Sequence, residues 1–145
     1  MQKNHLNWYI VEQLPVVPPE VYEATKFGAK TAKQIILDAV IELTYTSEDM
    51  RHFAEAIGFV DNDGKAKKPF LWNEDRRMKL MAKLNAIFFY LYQITNRDDV
   101  RYVYSTFSIV DRGETAAYGR YRSRDLCLAY LNALAAGDPD AEVNL

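Results

Sequence analysis

The sequence predicts a mainly α-helical fold, a small bundle of about five helices preceded by an extended N-terminal arm. Two observations support this prediction. Apolar residues recur at spacings of three and four in several segments, which places them on one face of a helix. Residues that typically start or end helices flank these segments. We expect an arm and linker over residues 1–27, a helical domain over residues 28–137 and an acidic flexible tail over residues 138–145.

The N-terminal arm differs in composition from the rest of the chain. Asn7–Val11 is aromatic and β-branched, which favours an extended strand. Leu14–Pro19 contains three prolines, and each proline restricts its own φ and favours extended geometry in the residue before it. We therefore expect a stiff connector, followed by a short helix that starts at Pro19 and ends near Gly28.

Two helices are expected between Gly28 and Gly58. Thr31 would cap the first helix and Ser47 the second, because a side-chain oxygen at this position accepts a free backbone N–H. Gly58 would end the second helix. The expected buried faces are Ile35, Ile36, Ala39, Val40 and Leu43 in the first helix, and Met50, Phe53, Ala54 and Ile57 in the second.

A polar loop and the longest predicted helix follow. The loop, Asp61–Pro69, includes an Asp63–Gly64 pair that is typical of a turn. Asn73 would cap a helix that runs to about Gln93. Its apolar residues form a wide stripe, and we expect the second half of the helix to be buried nearly all round. The stripe comprises Met78, Met81, Leu84, Phe88, Leu91 and Tyr92.

The last third of the chain predicts two more helices. A short one should start near Asn96 and bury Val100, Val103 and Tyr104. Phe107–Val110 is ambiguous, and we expect a loop or a short extended piece there. Ser123 would cap a final helix that Gly137 ends.

Composition excludes several classes of protein. A chain of 145 residues with 49% hydrophobic residues can bury one core and is not a disordered polar chain. Its single cysteine, Cys127, cannot form an intrachain disulfide and is expected to be buried, which fits a reducing, cytoplasmic location. The net charge of −2 argues neither for nor against a polyanionic partner. No segment approaches the ~20 apolar residues that span a bilayer, so we expect no membrane partner.

The residue pattern contains no recognisable catalytic or metal site. The two histidines, His5 and His52, have no second ligand at a useful spacing. The Asp61–Gly64 turn resembles the start of a calcium loop, but the twelfth position, which needs a bidentate glutamate, holds Trp72. Neither a nucleophile elbow nor a glycine-rich phosphate loop is present. We therefore expect no catalytic residue, no metal and no cofactor, and a small enzyme with a dispersed site is left as a third alternative.

Two basic clusters are candidates for phosphate contacts. The run before the final helix alternates arginine with tyrosine, and arginine matches phosphate bidentately. The helix N-terminus would add backbone N–H groups. In the alternative interpretation the arginines pair with nearby acids and the tyrosines pack on the core. The predicted contacts to the DNA backbone are Arg120, Arg122, Arg124, Tyr118, Tyr121 and Ser123, with Lys65, Lys67 and Lys68 as a weaker secondary patch.

Three stretches of the chain together resemble one known family. They are Leu6–Pro19 (LNWYIVEQLPVVPP), Leu84–Ile94 (LNAIFFYLYQI), and Thr106–Val110 (TFSIV) with Tyr118–Leu126 (YGRYRSRDL). In this order and rough spacing they are similar to the end of the target-recognition region and the helical C-terminal region of type II restriction–modification DNA methyltransferases. These enzymes are adenine-N6-specific, and related phage-defence methyltransferases share the pattern.

Two positions depart from the family pattern. Ser108 stands where the family usually has proline, and Gln93 stands where a glycine commonly ends the long helix. Both departures affect local turn geometry.

The resemblance implies a role without catalysis for this chain. The family's parent enzymes use S-adenosylmethionine, and their cofactor strand and Asn-Pro-Pro-Tyr motif lie far upstream of the region that this chain resembles. Val17–Glu20 lacks the catalytic asparagine and aromatic residue. The expectation is an accessory domain that supports target recognition, with double-stranded DNA and the upstream methyltransferase and recognition domains as partners.

A second hypothesis involves no nucleic acid. The chain would then be a protein-interaction or dimerisation module that forms homo-oligomers through its N-terminal arm. Trp8, Tyr9 and Ile10 would be the contacts, because an unpaired edge strand tends to pair with another chain.

Overall fold

The structure is a computed structural model that describes residues 8–145, and it confirms the mainly helical fold. Within this range there are more helices than the five or so expected, because α1 and α7 form where strand or loop was predicted. In chain order the elements are α1 (Trp8–Val11), α2 (Pro19–Ala24), β1 (Lys26–Phe27), β2 (Lys30–Thr31), α3 (Ala32–Thr44), a 3-10 turn (Glu48–Met50), α4 (Arg51–Ala56), α5 (Glu74–Leu91), α6 (Arg97–Ser105), α7 (Ser108–Tyr118) and α8 (Arg122–Ala135).

The packing of α5 against α8 forms the centre of the bundle. Small residues on α5, Ala82 and Ala86, let the two helices approach closely, and α8 contributes Leu126, Cys127 and Leu131. All five side chains are buried, as was expected of Cys127. Helices α3 and α6 pack on this pair and complete the main core.

A second, smaller core lies beneath the polar loop. Ile41, Tyr45 and Ala54 are buried there, and Phe59 and Phe70 pack against them. The Tyr45 hydroxyl donates a hydrogen bond of 2.9 Å to the carbonyl of Lys67, which fastens the loop to α3. The predicted turn at Asp63–Gly64 is confirmed, since the Asp61 carboxylate accepts hydrogen bonds from two backbone N–H groups of the loop.

Local capping signals correctly located the starts of α3, α5 and α6. Thr31 caps α3 with a complete capping box, in which Gln34 bonds back to the Thr31 backbone. Asn73 and Asn96 accept backbone hydrogen bonds at the starts of α5 and α6, as predicted. Gly58 and Gly137 take positive φ at helix ends.

The strand predicted over Asn7–Val11 is wrong where the structure describes it. Trp8–Val11 forms one helical turn, and the N–H of Glu12 donates to the Trp8 carbonyl at 3.0 Å. Asn7 lies outside the described residues. Aromatic and β-branched residues favour strands chiefly through cross-strand packing, and the only strands in the described range, β1 and β2, pair with each other.

Three further predictions are corrected by the structure. Phe107–Val110 is not an extended piece, because α7 begins at Ser108 and continues to a left-handed cap at Gly119. Ser123 does not cap α8, since the helix already starts at Arg122. The predicted buried face of α4 is wrong except at Ala54: Met50, Phe53 and Ile57 are exposed, because α4 has only six residues and covers little of the core.

The C-terminal residues pack on the bundle, although we expected a flexible tail over residues 138–145. Asp140 pairs with Lys30 at 2.7 Å, and the Asn144 side chain accepts a hydrogen bond from Lys79. Pro139 is buried and Val143 packs against the main core. The tail therefore connects the β1–β2 hairpin to α5.

No helix within residues 8–145 is long and apolar enough to cross a membrane.

Replacing Gly28 by alanine should destabilise the protein more than replacing Gly64. Both glycines have positive φ, so alanine at either position costs about 1–2 kcal/mol of backbone strain. Only at Gly28 would the new Cβ overlap the carbonyl oxygen of Gly137, which adds about 1–3 kcal/mol. Urea unfolding followed by circular dichroism measures the difference, and equal losses would contradict the close approach of the hairpin to Gly137.

Candidate functional site

An apolar groove of about 910 Å³ lies beside α5. One face of α5 forms its floor, and α6, α7 and the start of α8 form its walls. The floor residues recur at spacings of three and four, so the groove follows nearly the whole length of α5. Its floor includes Met78, Met81, Asn85, Phe88 and Phe89, with Tyr92 at the C-terminal end.

The groove exists because α7 does not cover α5. Met81, Phe88 and Tyr92 are 57%, 37% and 43% exposed. The exposure of Phe88 and Tyr92 corrects the prediction that the second half of the helix is buried nearly all round. Helix α7 has no buried residue, although it carries Ile109 and Val110. The sequence pattern correctly identified an apolar face, but only the fold shows that part of this face lacks a covering helix.

An ion-pair cluster closes one end of the groove. Arg122 donates to the Asp75 carboxylate and its guanidinium lies 5.1 Å from the centre of the Tyr118 ring. Lys79 lies 3.2 Å from the same carboxylate. These hydrogen bonds lower the pKa of Asp75 below its ordinary value. The Arg122 side chain is only 17% exposed, so its charge is balanced by Asp75 and is largely hidden from solvent.

The groove contains no activated nucleophile. The Asn85 amide donates to the Tyr104 hydroxyl at 3.1 Å, and burial raises the pKa of that hydroxyl. Burial also raises the pKa of the neighbouring Cys127 thiol to about 11, so the thiol is protonated and unreactive at neutral pH. Within residues 8–145 no cluster of three or more histidine, cysteine or acidic side chains could hold a metal ion.

The structure divides the predicted arginine–tyrosine run between two surfaces. Arg122 lines the apolar groove, whereas Arg120 and Arg124 line a separate cleft between α6 and α8. Side chains two positions apart on a helix point to different sides, so the separation of Arg122 from Arg124 follows from helical geometry. Tyr118, Tyr121 and Ser123 lie on the groove side, and Tyr121 is buried.

The N-terminus of α8 is already occupied by a side chain. The Glu114 carboxylate accepts a hydrogen bond of 2.7 Å from the N–H of Ser123. Glu114 therefore bonds to a backbone N–H that we expected to be available for a phosphate.

The second cleft brings four arginines together. It has a volume of about 390 Å³ and is lined by Arg97, Arg101, Arg120 and Arg124, with Asp125 among them. Arg97 and Arg101 were not among the contacts predicted from the sequence. Their spacing of four residues on a helix that Asn96 caps places them on one face, and this signal could have identified them.

All three predicted arginines pair with a carboxylate, as the alternative interpretation expected. Asp75 pairs with Arg122, and Asp125 accepts from Arg124 at 2.8 Å and lies 3.3 Å from Arg120. Arg120 is still half-exposed, with 48% of its side chain accessible. A contact of these arginines with DNA stays a prediction.

The other predicted contact residues lie away from both surfaces. Lys67 lies over the Phe59 ring at 5.1 Å, and the exposed Lys65 and Lys68 flank it in the polar loop. None of the three lines the groove or the arginine cleft. Trp8, Tyr9 and Ile10 are exposed on α1.

Comparison with models of protein families gives no match, and neither do comparisons with curated proteins and with solved structures.

The Asp75 ion pairs should stabilise the protein only while Asp75 is ionised. The pKa of Asp75 in the folded protein is lowered from 3.8, so the stabilisation is fully present well above pH 3.8. It is lost as the pH falls through the lower pKa of the folded state. The check is the difference in free energy of unfolding between the wild type and Asp75→Asn over a pH series. A difference that persists unchanged in acid would contradict this assignment.

Proposed function

We propose that the chain is a non-catalytic accessory domain of a restriction–modification DNA methyltransferase and docks on the recognition polypeptide of that enzyme. One observation carries the proposal: the second and third stretches that resemble the family line the same apolar groove, and Tyr92 of this groove bonds to Pro15 in the first stretch. The methyl-transfer chemistry would belong to the upstream polypeptide, and the complex would work in the cytoplasm, where its DNA substrate lies.

The three stretches are far apart in sequence and close in space. Tyr92, in the second stretch, donates a hydrogen bond of 3.0 Å to the carbonyl of Pro15 in the first. Phe107 and Tyr118, in the third, line the same groove as Tyr92. A shared surface is what a family-specific docking role requires, whereas unrelated short matches would be scattered over the fold.

The two departures from the family pattern also support the proposal. Gln93 has a φ of +60° and is the one non-glycine residue with positive φ among residues 8–145. The family's glycine suits this left-handed conformation. Ser108 is the first residue of α7, the helical position that proline tolerates best. The backbone therefore has, at both positions, the geometry that the family residues favour.

The proposed occupant of the groove is an amphipathic helix of the recognition polypeptide. The apolar stripe follows the 18-residue helix α5, a length of about 27 Å, which suits a helical partner. The arm that resembles the end of the recognition region contacts the C-terminal end of the stripe, where Tyr92 bonds to the Pro15 carbonyl, and this favours the recognition polypeptide as the occupant. Short helices such as α7 need tertiary packing for stability, and the docked helix would supply it.

The dimerisation hypothesis has its own supporting observation. Trp8 and Tyr9 are 73% and 70% exposed on the one-turn helix α1, an unusual position for two large aromatic side chains. Sedimentation at several protein concentrations tests it. A dimer lost on Trp8→Ala, with no complex formed with a methyltransferase polypeptide, would favour this hypothesis over the accessory role.

Substituting the family residues should stabilise the protein. Gln93→Gly removes left-handed strain and should raise the free energy of unfolding by about 0.5–1 kcal/mol. Ser108→Pro restricts the unfolded chain at a compatible position and should add about 0.4–1 kcal/mol. Urea unfolding measures both effects. Gln34→Gly within α3 is the control and should be destabilising, while a loss of stability in Gln93→Gly would contradict the shared turn geometry.

A charge placed in the groove should abolish docking without unfolding the domain. Met81 is exposed on the groove floor, so Met81→Asp removes little core packing but places a carboxylate against the apolar partner. The measurement is copurification with the polypeptide encoded directly upstream, followed by methylation of DNA with S-adenosylmethionine. We expect Met81→Asp to lose both, and the chain alone to transfer no methyl group.

The matched control is Leu37→Asp on α3. Leu37 is 50% exposed and does not line the groove, so the same charge there should leave copurification intact. Equal binding by the two variants would contradict docking in the groove. An upstream reading frame without methyltransferase motifs, or methyl transfer by the isolated chain, would contradict the proposed function as a whole.

A further inference from the structure

We propose that the cleft between α6 and α8 is a binding site for the phosphodiester backbone of duplex DNA, formed by Arg97, Arg101, Arg120 and Arg124. The proposal rests on the proposed function only for the choice of DNA as the source of phosphate. The proposed site differs from the contiguous arginine run that the sequence predicted. Its four arginines are brought together by the fold, and Arg97 and Arg101 come from α6.

The cleft has an excess of positive charge. Four guanidinium groups line it, and Asp125 is the one acidic side chain among its lining residues. Asp98 pairs with Arg101 from the rim at 2.7 Å. When both side-chain carboxylates are counted, the side chains leave an excess of two positive charges, in a protein whose side chains carry a net charge of −2 overall. The excess of positive side-chain charge is therefore a local property of this cleft.

The arginines retain free donor groups. Each guanidinium has five N–H donors. Among the hydrogen bonds of the described residues, Arg101 uses one terminal nitrogen for Asp98, and Arg124 uses Nε and one terminal nitrogen for Asp125. Arg120 approaches Asp125 through Nε, so its terminal nitrogens are available. A phosphate oxygen could bond to these donors while the existing pairs remain.

One arginine is held in place before any ligand binds. Arg97 donates to the carbonyl of Leu128 and to the Asn132 side chain, both on α8. Arg124 lies 5.4 Å from the centre of the Tyr121 ring, which restricts its movement as well. A guanidinium that is fixed in advance loses less conformational entropy when it binds.

Arg122 does not belong to this site. It lines the apolar groove and is largely buried beside Asp75, whose carboxylate also attracts Lys79. A phosphate would have to displace Asp75 from both cations.

The experiment measures the affinity of the full chain for a labelled duplex DNA over a series of salt concentrations. The double variant Arg101→Ala/Arg120→Ala should bind DNA more weakly. Its plot of log K against log salt should also be less steep, by about 0.9 for each phosphate that the variant no longer neutralises. The control, Lys33→Ala/Arg51→Ala, changes the net charge equally and removes two cations that each pair with a carboxylate outside the cleft. We expect the control and Arg122→Ala to keep the wild-type slope.

A variant that should bind DNA more tightly tests the same site. Asp125→Asn keeps the side-chain shape and removes the carboxylate that pairs with Arg120 and Arg124. It should bind DNA more tightly than the wild type does. The variant Asp98→Asn/Arg101→Ala leaves the net charge unchanged and removes one arginine of the cleft, so it should bind more weakly. A DNA site elsewhere on the surface would leave the affinity of this second variant at the wild-type value.

Three results would overturn the proposal. They are an absence of salt-dependent binding, an equal loss of affinity in the cleft variant and its control, and binding of inorganic phosphate in the cleft without any binding of DNA. The proposed function is separate from these outcomes, because copurification with the upstream polypeptide depends on the groove and on Met81. A wild-type chain that copurifies with the upstream polypeptide but binds no DNA would reject the cleft alone. A wild-type chain that binds DNA but does not copurify would reject the docking role alone.

Discussion

The packing of α5 on α8 is the constraint on which the rest of the structure depends. Ala82 and Ala86 bring the two helix backbones close, and this uses one face of each helix for the core. An adjacent face of α5 is left to form the groove floor, and the first turn of α8 is left between the groove and the arginine cleft. Both candidate surfaces therefore follow from how a single helix pair divides its residues between core and solvent.

The two surfaces differ in the physics of the partners that they suit. The groove presents methionine and aromatic side chains, and burying their apolar surface against a partner is favourable. The flexible methionines can also adapt their shape to that partner. The cleft presents guanidinium groups, which attract phosphate electrostatically, and this attraction weakens as the salt concentration rises. Because Arg122 and Arg124 point to different sides of α8, one short sequence run contributes to both surfaces.

Local signals in the sequence predicted the helices better than they predicted exposure. Asparagine and threonine caps act within a few residues of their own position, so α3, α5 and α6 could be placed from the sequence alone. Whether Met81 or Phe53 is buried depends on the element that lies opposite, which the sequence does not specify. The strand prediction at Trp8 failed for the same reason, since a strand needs a partner that the described chain does not supply.

The candidate site shows why a charged run is a weak guide to a binding surface. In sequence, Arg120, Arg122 and Arg124 form one cluster, yet the fold separates them and adds Arg97 and Arg101 from another helix. Their carboxylate partners also differ, because Asp75 holds the largely buried Arg122 whereas Asp125 is shared between Arg120 and Arg124. What distinguishes the cleft is the number of guanidinium groups for each carboxylate, a quantity that exists only once α6 and α8 are packed together.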